Sequence, residues 1–320
     1  MSFFSGVICL CLMFSTNFLP RLQTAEDSLE VLLDEDFRGL KPGMFSSGVV
    51  GAHAEYHYIP ATAPRGHWVV SCFQSEGSQR AWRVIGENDA HVMYQSYQAT
   101  ANEREYTHPM IITGDSLWAD YSLLVRFAPE SDEAQSGLVF RYRNDRCYYF
   151  FGVKGAKAVL KMVRHGTAFH QAYEKILAQS DCTWSRGQYL TARVTVRGSH
   201  IRAELDKGTL LEADDTTYLK GKVGLTADVP TRYSRVRITT TVAEKERYLA
   251  LATRRQRELD SLQAMNPRPV LWKKLSTPGF GVGRNLRFGD LNGDGQLDVL
   301  IGQVWHHGPK DRNSELSCLT

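Results

Sequence analysis

Short segments in which apolar and polar residues alternate dominate the chain from residue 31 to residue 242, and they constrain the fold more than any other feature. Residues 190–196 (LTARVTV) alternate without interruption, which places one side of a strand in a core and the other in water. Polar turns such as Arg197-Gly198-Ser199 separate these segments. Similar segments occur at residues 122–127, 137–142, 147–153, 158–163, 201–205, 222–226 and 234–242. Many short strands joined by polar turns predict an all-β fold, an antiparallel β-sandwich of jelly-roll type over residues 31–242.

A different pattern follows at residues 243–266, which contain neither glycine nor proline and are rich in residues of high helix propensity. Tyr248, Leu251, Leu259 and Leu262 recur near one face at helical spacing. Proline at position 267 ends the segment because it cannot continue a helix. The pattern predicts a linker helix between two domains, and a helix packed on the sandwich is an equal alternative.

The N-terminus has the composition of a targeting segment. Residues 3–19 (FFSGVICLCLMFSTNFL) carry no charge and are followed by Pro20 and Arg21. This predicts a signal peptide over residues 1–25 and a protein that is secreted, periplasmic or at the cell surface. An uncleaved membrane anchor is the alternative, since the run is almost long enough to span a bilayer. Membrane contact is expected only through this segment.

The charge balance argues against a polyanionic partner. The chain has 38 Lys and Arg against 35 Asp and Glu, a formal net charge of +3. Nucleic-acid-binding proteins concentrate basic residues on one face and are more strongly basic. We therefore expect no nucleic acid as a partner, and the sequence sets no oligomeric state.

The most specific motif is a run of oxygen-bearing side chains in residues 289–298 (GDLNGDGQLD). Asp290, Asn292 and Asp294 alternate, a glycine follows, and Asp298 closes the run next to an apolar segment. Calcium requires six to eight oxygen ligands, and alternate residues of a tight loop supply them. We expect Asp290, Asn292, Asp294 and Asp298 to bind Ca²⁺ with their side chains and Gln296 with its backbone carbonyl. A plain Asx-rich turn is the alternative.

Two parts of the chain resemble known families. Residues 34–241 resemble laminin-G-like, concanavalin-A-like jelly-roll domains. The segments that carry this resemblance are residues 34–37 (DEDF), 136–142 (SGLVFRY), 148–150 (YYF), Trp184 with 189–194 (YLTARV), and 221–225 (GKVGL). Residues 287–303 (RFGDLNGDGQLDVLIGQ) resemble FG-GAP repeats and the calcium-binding propeller of rhamnogalacturonan lyases. The resemblance implies that residues 267–320 are the start of a propeller that is cut short.

A secreted jelly roll of this kind implies carbohydrate recognition, and aromatic platforms with polar neighbours are the usual sugar contacts. Trp68 and Trp82 lie in a less regular stretch and are candidate platforms, with a place in the core as the favoured alternative. Arg141 and Arg143 lie on a strand and its turn. They are candidates for an acidic sugar, with a solvated strand face as the alternative.

Three functions are compatible with these patterns. The first is a secreted carbohydrate-binding protein, the N-terminal part of a polysaccharide-acting enzyme with a structural calcium loop. The second is an enzyme, either a polysaccharide lyase or a glycoside hydrolase, and the hydrolase requires two carboxylates and an Arg or His to converge on one sheet face. The third is extracellular adhesion, which predicts a flat apolar patch without a groove.

Overall fold

The computed structural model describes residues 29–45, 66–71, 75–105, 107–164, 173–206, 208–266, 270–271, 282–305 and 312–319. The predicted signal peptide, residues 1–25, lies outside the described residues. Within the described part of the chain, no helix is long and apolar enough to cross a membrane.

Strands make up most of the described chain. The first ten are β1 (Leu29–Glu35), β2 (Gly43–Met44), β3 (Val69–Val70), β4 (Trp82–Glu87), β5 (Ala90–Gln95), β6 (Met110–Thr113), β7 (Tyr121–Pro129), β8 (Gln135–Asn144), β9 (Cys147–Lys154) and β10 (Lys157–Arg164). The others are β11 (Tyr173–Asp181), β12 (Leu190–Arg197), β13 (His200–Leu205), β14 (Thr209–Asp214), β15 (Lys222–Ala227), β16 (Thr231–Thr241), β17 (Val282–Gly289), β18 (Asp298–Trp305) and β19 (Arg312–Leu319). The helices are α1 (Glu76–Gln79) and α2 (Val242–Met265), with a short 3₁₀ turn at Glu103–Glu105.

Two antiparallel sheets form a sandwich. The nine-stranded sheet has the order β14-β13-β12-β7-β16-β5-β4-β2, and β1 pairs with β16 as its ninth strand. The seven-stranded sheet has the order β11-β10-β9-β8-β15-β6-β3. All eight strands predicted from alternation are present, and the all-β antiparallel fold is confirmed.

The core lies between the two sheets and is built from the inward positions of each strand. In β12 the alternate residues Leu190, Ala192, Val194 and Val196 are all buried in it. Aromatic rings fill its centre, where Phe140 stacks on a neighbour. The strict alternation of β12 in the sequence is therefore the direct imprint of a strand with one buried face.

Arg141 is buried at one end of this core, where β8 bulges and loses its regular register with β9. Its guanidinium donates hydrogen bonds to the carbonyl of Tyr218 at 3.1 Å and to that of Gly198 at 2.6 Å. A longer contact of 3.4 Å reaches the carbonyl of Ala119. Burial lowers the pKa of Arg141, although nearby Tyr121 and acidic groups oppose this shift. One buried cation thus joins three connections that would otherwise leave their carbonyls unsatisfied.

Helix α2 begins directly after β16 and is docked on the sandwich over its first half. The Thr241 hydroxyl accepts a hydrogen bond from the Glu244 backbone N–H, which caps the helix. Tyr248 packs edge-on against Trp118, with ring centroids 6.3 Å apart. The sequence left open whether this helix links domains or packs on the sandwich, and its first half does pack there.

The second half of α2 has a different environment. Arg255 forms an ion pair with Asp115 at 2.6 Å, and beyond this residue Leu259 and Leu262 are exposed. The chain continues to a separate three-stranded antiparallel sheet of order β17-β18-β19. The predicted calcium loop is the connection between β17 and β18.

Candidate functional site

The structure places three of the four predicted sugar contacts away from the surface. Trp68 and Trp82 are fully buried in the core between the sheets, where Trp82 packs against Tyr233 at a centroid distance of 5.8 Å. Arg141 is fully buried as well, so it lies neither on a sugar nor on a solvated face. These three predictions as sugar contacts do not fit the structure, because a ring or guanidinium enclosed by packing offers no surface to a ligand. Arg143 alone is exposed, over the Tyr218 ring at 5.5 Å.

A cluster of titratable side chains lies instead on the outer face of the seven-stranded sheet, the face turned away from the core between the sheets. Residues that alternate with the core positions of β9 and β10 place Phe150 and Lys161 there. His108 precedes β6, Asp228 follows β15, and Glu174 belongs to the edge strand β11. The fold thus gathers five elements that are distant in sequence.

These side chains form one connected chain of charges. His108 Nδ1 lies 2.7 Å from an Asp228 carboxylate oxygen, and His108 Nε2 lies 3.9 Å from Glu174 Oε1. Lys161 Nζ donates to both carboxylate oxygens of Glu174 at 2.8 Å. Gln135 Nε2 lies 3.1 Å from His108 Nδ1. The order Asp228–His108–Glu174–Lys161 alternates in charge capacity, which lets each group stabilise its neighbours.

Burial and charge oppose each other at Glu174. Burial by itself raises the pKa of Glu174, but the adjacent Lys161 ammonium more than offsets this and leaves the pKa below its usual value. Burial lowers the pKa of Lys161, and the Glu174 carboxylate opposes that shift. The side chain of Glu174 is 33% exposed, whereas that of Lys161 is 5% exposed. Glu174 is therefore an ionised acceptor that reaches solvent while its cation stays inside.

Aromatic rings surround the cluster. The Lys161 ammonium lies 5.3 Å from the centroid of the Phe150 ring. Tyr148 is fully buried, and its hydroxyl has no hydrogen-bond partner among the described residues. Burial raises the pKa of Tyr148 well above its usual value, with the charges of Glu174 and Asp228 adding to the effect. Tyr148 is thus a neutral donor held beside two carboxylates.

Glycines form the centre of the same sheet. Gly137 of β8 pairs directly with Gly152 of β9, and Gly224 of β15 lies near them in the sheet. A Cβ on Gly152 would lie 2.1 Å from the Ser136 carbonyl oxygen, and one on Gly137 would lie 2.2 Å from that of Phe151. The strands therefore approach each other here in a way that only glycine permits.

The loop predicted to bind calcium is held by its own hydrogen bonds. The Asp290 carboxylate accepts from the backbone N–H groups of Gly293, Asp294 and Gly295, and these bonds lower the pKa of Asp290. Asp298 is buried and accepts from the Leu291 N–H at 2.8 Å. Within the described residues, no three His, Cys, Asp or Glu side chains are gathered as a metal-binding group. The loop as described is an Asx-rich turn built from oxygen donors of the kind that calcium prefers.

Solved structures resemble this chain, whereas no protein-family model and no curated protein matches it. The carbohydrate-binding module CBM66 from Bacillus subtilis is 12% identical with a TM-score of 0.40, and the match covers 50% of this chain and 96% of that one. A GH16 protein of the Bacteroides ovatus mixed linkage glucan PUL, in complex with a G4G4G3G product, is 10% identical with a TM-score of 0.43. That match covers 65% of this chain and 99% of the other.

A third similar structure is domain 4 of an extracellular GH43 arabinanase from Geobacillus stearothermophilus, in complex with arabinotriose. It is 10% identical with a TM-score of 0.34, over 54% of this chain and 82% of that one. The class that the fold of this chain defines is an antiparallel β-sandwich. The candidate site is defined by this chain's own residues.

The sequence analysis did not identify His108, Glu174 or Asp228. One signal was present, because Lys161 interrupts an otherwise apolar run at residues 158–163. A strand buried on both faces gives a continuous apolar run. A lysine inside such a run needs a buried partner, since an unpaired buried charge is costly.

Proposed function

We propose that this chain binds a carbohydrate at the outer face of the seven-stranded sheet, with Glu174 as the central hydrogen-bond acceptor. One observation carries the proposal: Glu174 is partly exposed, while Lys161 and His108, which hold it ionised and oriented, are buried. Sugar sites combine apolar and aromatic surface with a few precisely oriented polar groups. Phe150 and Tyr148 supply the aromatic surroundings at this cluster.

Two carboxylates beside a histidine are also what the hydrolase hypothesis requires, and glycoside hydrolysis is the second candidate function. A glycosidase needs one carboxyl group whose pKa is raised, so that it can protonate the leaving oxygen. At Glu174 the pKa is instead lowered, because Lys161 outweighs burial. An ionised, cation-held carboxylate suits hydrogen bonding to sugar hydroxyl groups better than proton donation. Binding is therefore the favoured function, and adhesion through a flat apolar patch stays a prediction.

Screening the full chain on a neutral and acidic glycan array, followed by calorimetry with the best oligosaccharide, tests the proposal. We expect Glu174→Gln to weaken binding by roughly tenfold or more, since a hydrogen bond to a charged group contributes about 1.5–3 kcal/mol. Glu246→Gln is the matched control, because Glu246 is exposed on helix α2 and its loss removes the same charge. Circular dichroism verifies that both variants are folded. Equal affinity of Glu174→Gln and the unaltered protein would refute the site.

We also propose that the loop of residues 290–298 binds Ca²⁺ through the side chains of Asp290, Asn292, Asp294 and Asp298 and the backbone carbonyl of Gln296. All five are oxygen donors within one tight turn, where Gly293 and Gly295 have φ of 82° and 79°. Bound calcium would neutralise three carboxylates that repel one another when brought together. Each carboxylate would exchange its amide hydrogen bonds for the cation.

Titrating the full chain with CaCl₂ in a calorimeter tests the calcium loop. We expect one binding event, weakened roughly tenfold or more by Asp294→Asn, because a charged ligand becomes neutral. Asp260→Asn on the exposed part of helix α2 is the control and leaves the affinity unchanged. The absence of any heat at millimolar calcium would contradict the proposal.

We further propose export of the chain by its N-terminal segment, and that residues 267–320 begin an FG-GAP-like propeller, as in a rhamnogalacturonan-type polysaccharide lyase. The uncharged run at residues 3–19 supports export. The antiparallel order β17-β18-β19 is compatible with part of a propeller blade. In this proposal, the sandwich binds the polysaccharide on which a neighbouring domain acts.

A further inference from the structure

The outer face of the nine-stranded sheet is rich in arginine. Outward positions of its strands carry Arg83, Arg126, Arg193, Arg197, Arg202, Arg232, Arg235 and Arg237. Several of these are neutralised locally. Arg235 forms an ion pair with Asp34 at 2.6 Å, and Arg202 forms one with Glu204 at 2.9 Å. The face therefore presents a few cations that remain uncompensated rather than a uniform positive surface.

A cleft of about 500 Å³ lies on this face, where β4, β5, β7 and β16 meet the start of β12. Tyr189 and Glu87 lie on one side of the cleft. The Tyr189 hydroxyl donates to one Glu87 carboxylate oxygen, and Arg232 donates to the other. Both oxygens of this carboxylate are thus engaged by groups of the protein. The tyrosine ring and the acid are fixed in place before any ligand arrives.

Arg126 is the uncompensated cation in the cleft. Its guanidinium lies over the Tyr189 ring, 4.0 Å from the centroid. One nitrogen donates to the Ser234 hydroxyl at 3.1 Å, and no carboxylate lies within ion-pair distance among the described residues. Stacking on an aromatic ring keeps a guanidinium flat and leaves its edge free for a planar anion. Arg126 is exposed, so a ligand can reach that edge.

We propose that this cleft binds an anionic sugar residue, with the carboxylate of a uronic acid against Arg126. Paired N–H groups of a guanidinium match the two oxygens of a carboxylate. Asn88 and His91 line the same cleft and provide polar groups for sugar hydroxyls. A volume of this size is within the range of small-ligand sites, roughly 300–1,000 Å³.

The Arg126 cleft is separate from the proposed Glu174 site. The two lie on opposite outer faces of the sandwich, one on each sheet, and no residue belongs to both. Substitutions in one are therefore expected not to alter binding at the other, because distant sites without shared contacts behave additively. Failure at either site leaves the other proposal intact.

Calorimetry of the full chain with trigalacturonic acid tests the cleft, with galactotriose as the neutral counterpart. We expect the acid to bind, the neutral sugar to bind at least roughly tenfold more weakly, and added salt to weaken the acid. Arg126→Gln should weaken trigalacturonic acid by roughly tenfold to a hundredfold, the range for a hydrogen bond to a charged group. Arg193→Gln is the matched control, since Arg193 is an exposed arginine of the same sheet outside the cleft.

Three results would overturn the inference. The first is no detectable binding of trigalacturonic acid at millimolar concentration. The second is an equal loss for Arg126→Gln and Arg193→Gln, which would indicate diffuse charge attraction instead of a site. The third is a loss of galactotriose binding equal to that of the acid in Arg126→Gln. A sulfated galactan oligosaccharide as an additional ligand distinguishes a carboxylate-specific cleft from one that accepts sulfate.

Discussion

Replacing Arg141 by methionine is expected to lower the free energy of unfolding by about 3–5 kcal/mol. The substitution keeps much of the side-chain volume but removes the donors to the carbonyls of Tyr218 and Gly198, which lie at 3.1 Å and 2.6 Å. Buried carbonyls without a donor keep their full desolvation cost. Urea denaturation followed by circular dichroism measures the change. A lower midpoint with an unchanged slope indicates a loss of stability alone.

The matched control is two residues away. Arg143→Met removes the same cation from an exposed position, where only a contact with the Tyr218 ring at 5.5 Å is lost. We expect it to cost less than about 1 kcal/mol, the usual value of an exposed cation–π contact. Equal losses for the two variants would mean that the carbonyl contacts of Arg141 contribute nothing to stability.

The Gly152→Ala variant is expected to lose about 3 kcal/mol or more, at the upper end of what overpacking costs. The new methyl group would lie 2.1 Å from the Ser136 carbonyl oxygen and 2.9 Å from the Phe150 ring. The first neighbour is backbone, so the strand itself must shift rather than a flexible side chain. Thermal unfolding monitored by far-ultraviolet circular dichroism reports the loss.

Gly86→Ala provides the comparison for this effect. Gly86 also lies inside a strand, β4, but a Cβ there meets no atom within 4 Å. Alanine loses less backbone entropy on folding than glycine, so this variant should be neutral or slightly more stable. Comparable destabilisation by both substitutions would show that crowding at Gly152 is not the cause.

The fold was predictable because its strands are one-sided. In β12 each inward residue is apolar and each outward residue is polar, so the period of two is visible in the sequence. Strand β11 is the opposite case, since it lies at a sheet edge with Tyr173 and Ile176 exposed. An edge strand that buries little has no clear alternation, and the sequence analysis did not predict it.

The candidate site was far less predictable. His108 and Asp228 touch at 2.7 Å, although 120 positions separate them in the chain. Their contact exists only because β6 and β15 are neighbours in the seven-stranded sheet. Local patterns carry no information on that pairing. Trp68 and Trp82 were assigned as candidate sugar contacts for a related reason, because an aromatic residue in an irregular stretch is not marked as buried by any periodicity.

Helix α2 has a consequence for how the molecule carries load. Its first half is fastened to the sandwich as far as the ion pair of Arg255 with Asp115. Ten further residues reach Met265, and at 1.5 Å per residue they extend the helix by roughly 15 Å. A helix resists stretching far better than a coil, so tension along a captured polymer would pass straight through this rod. Slack between the two ends would begin only after residue 266.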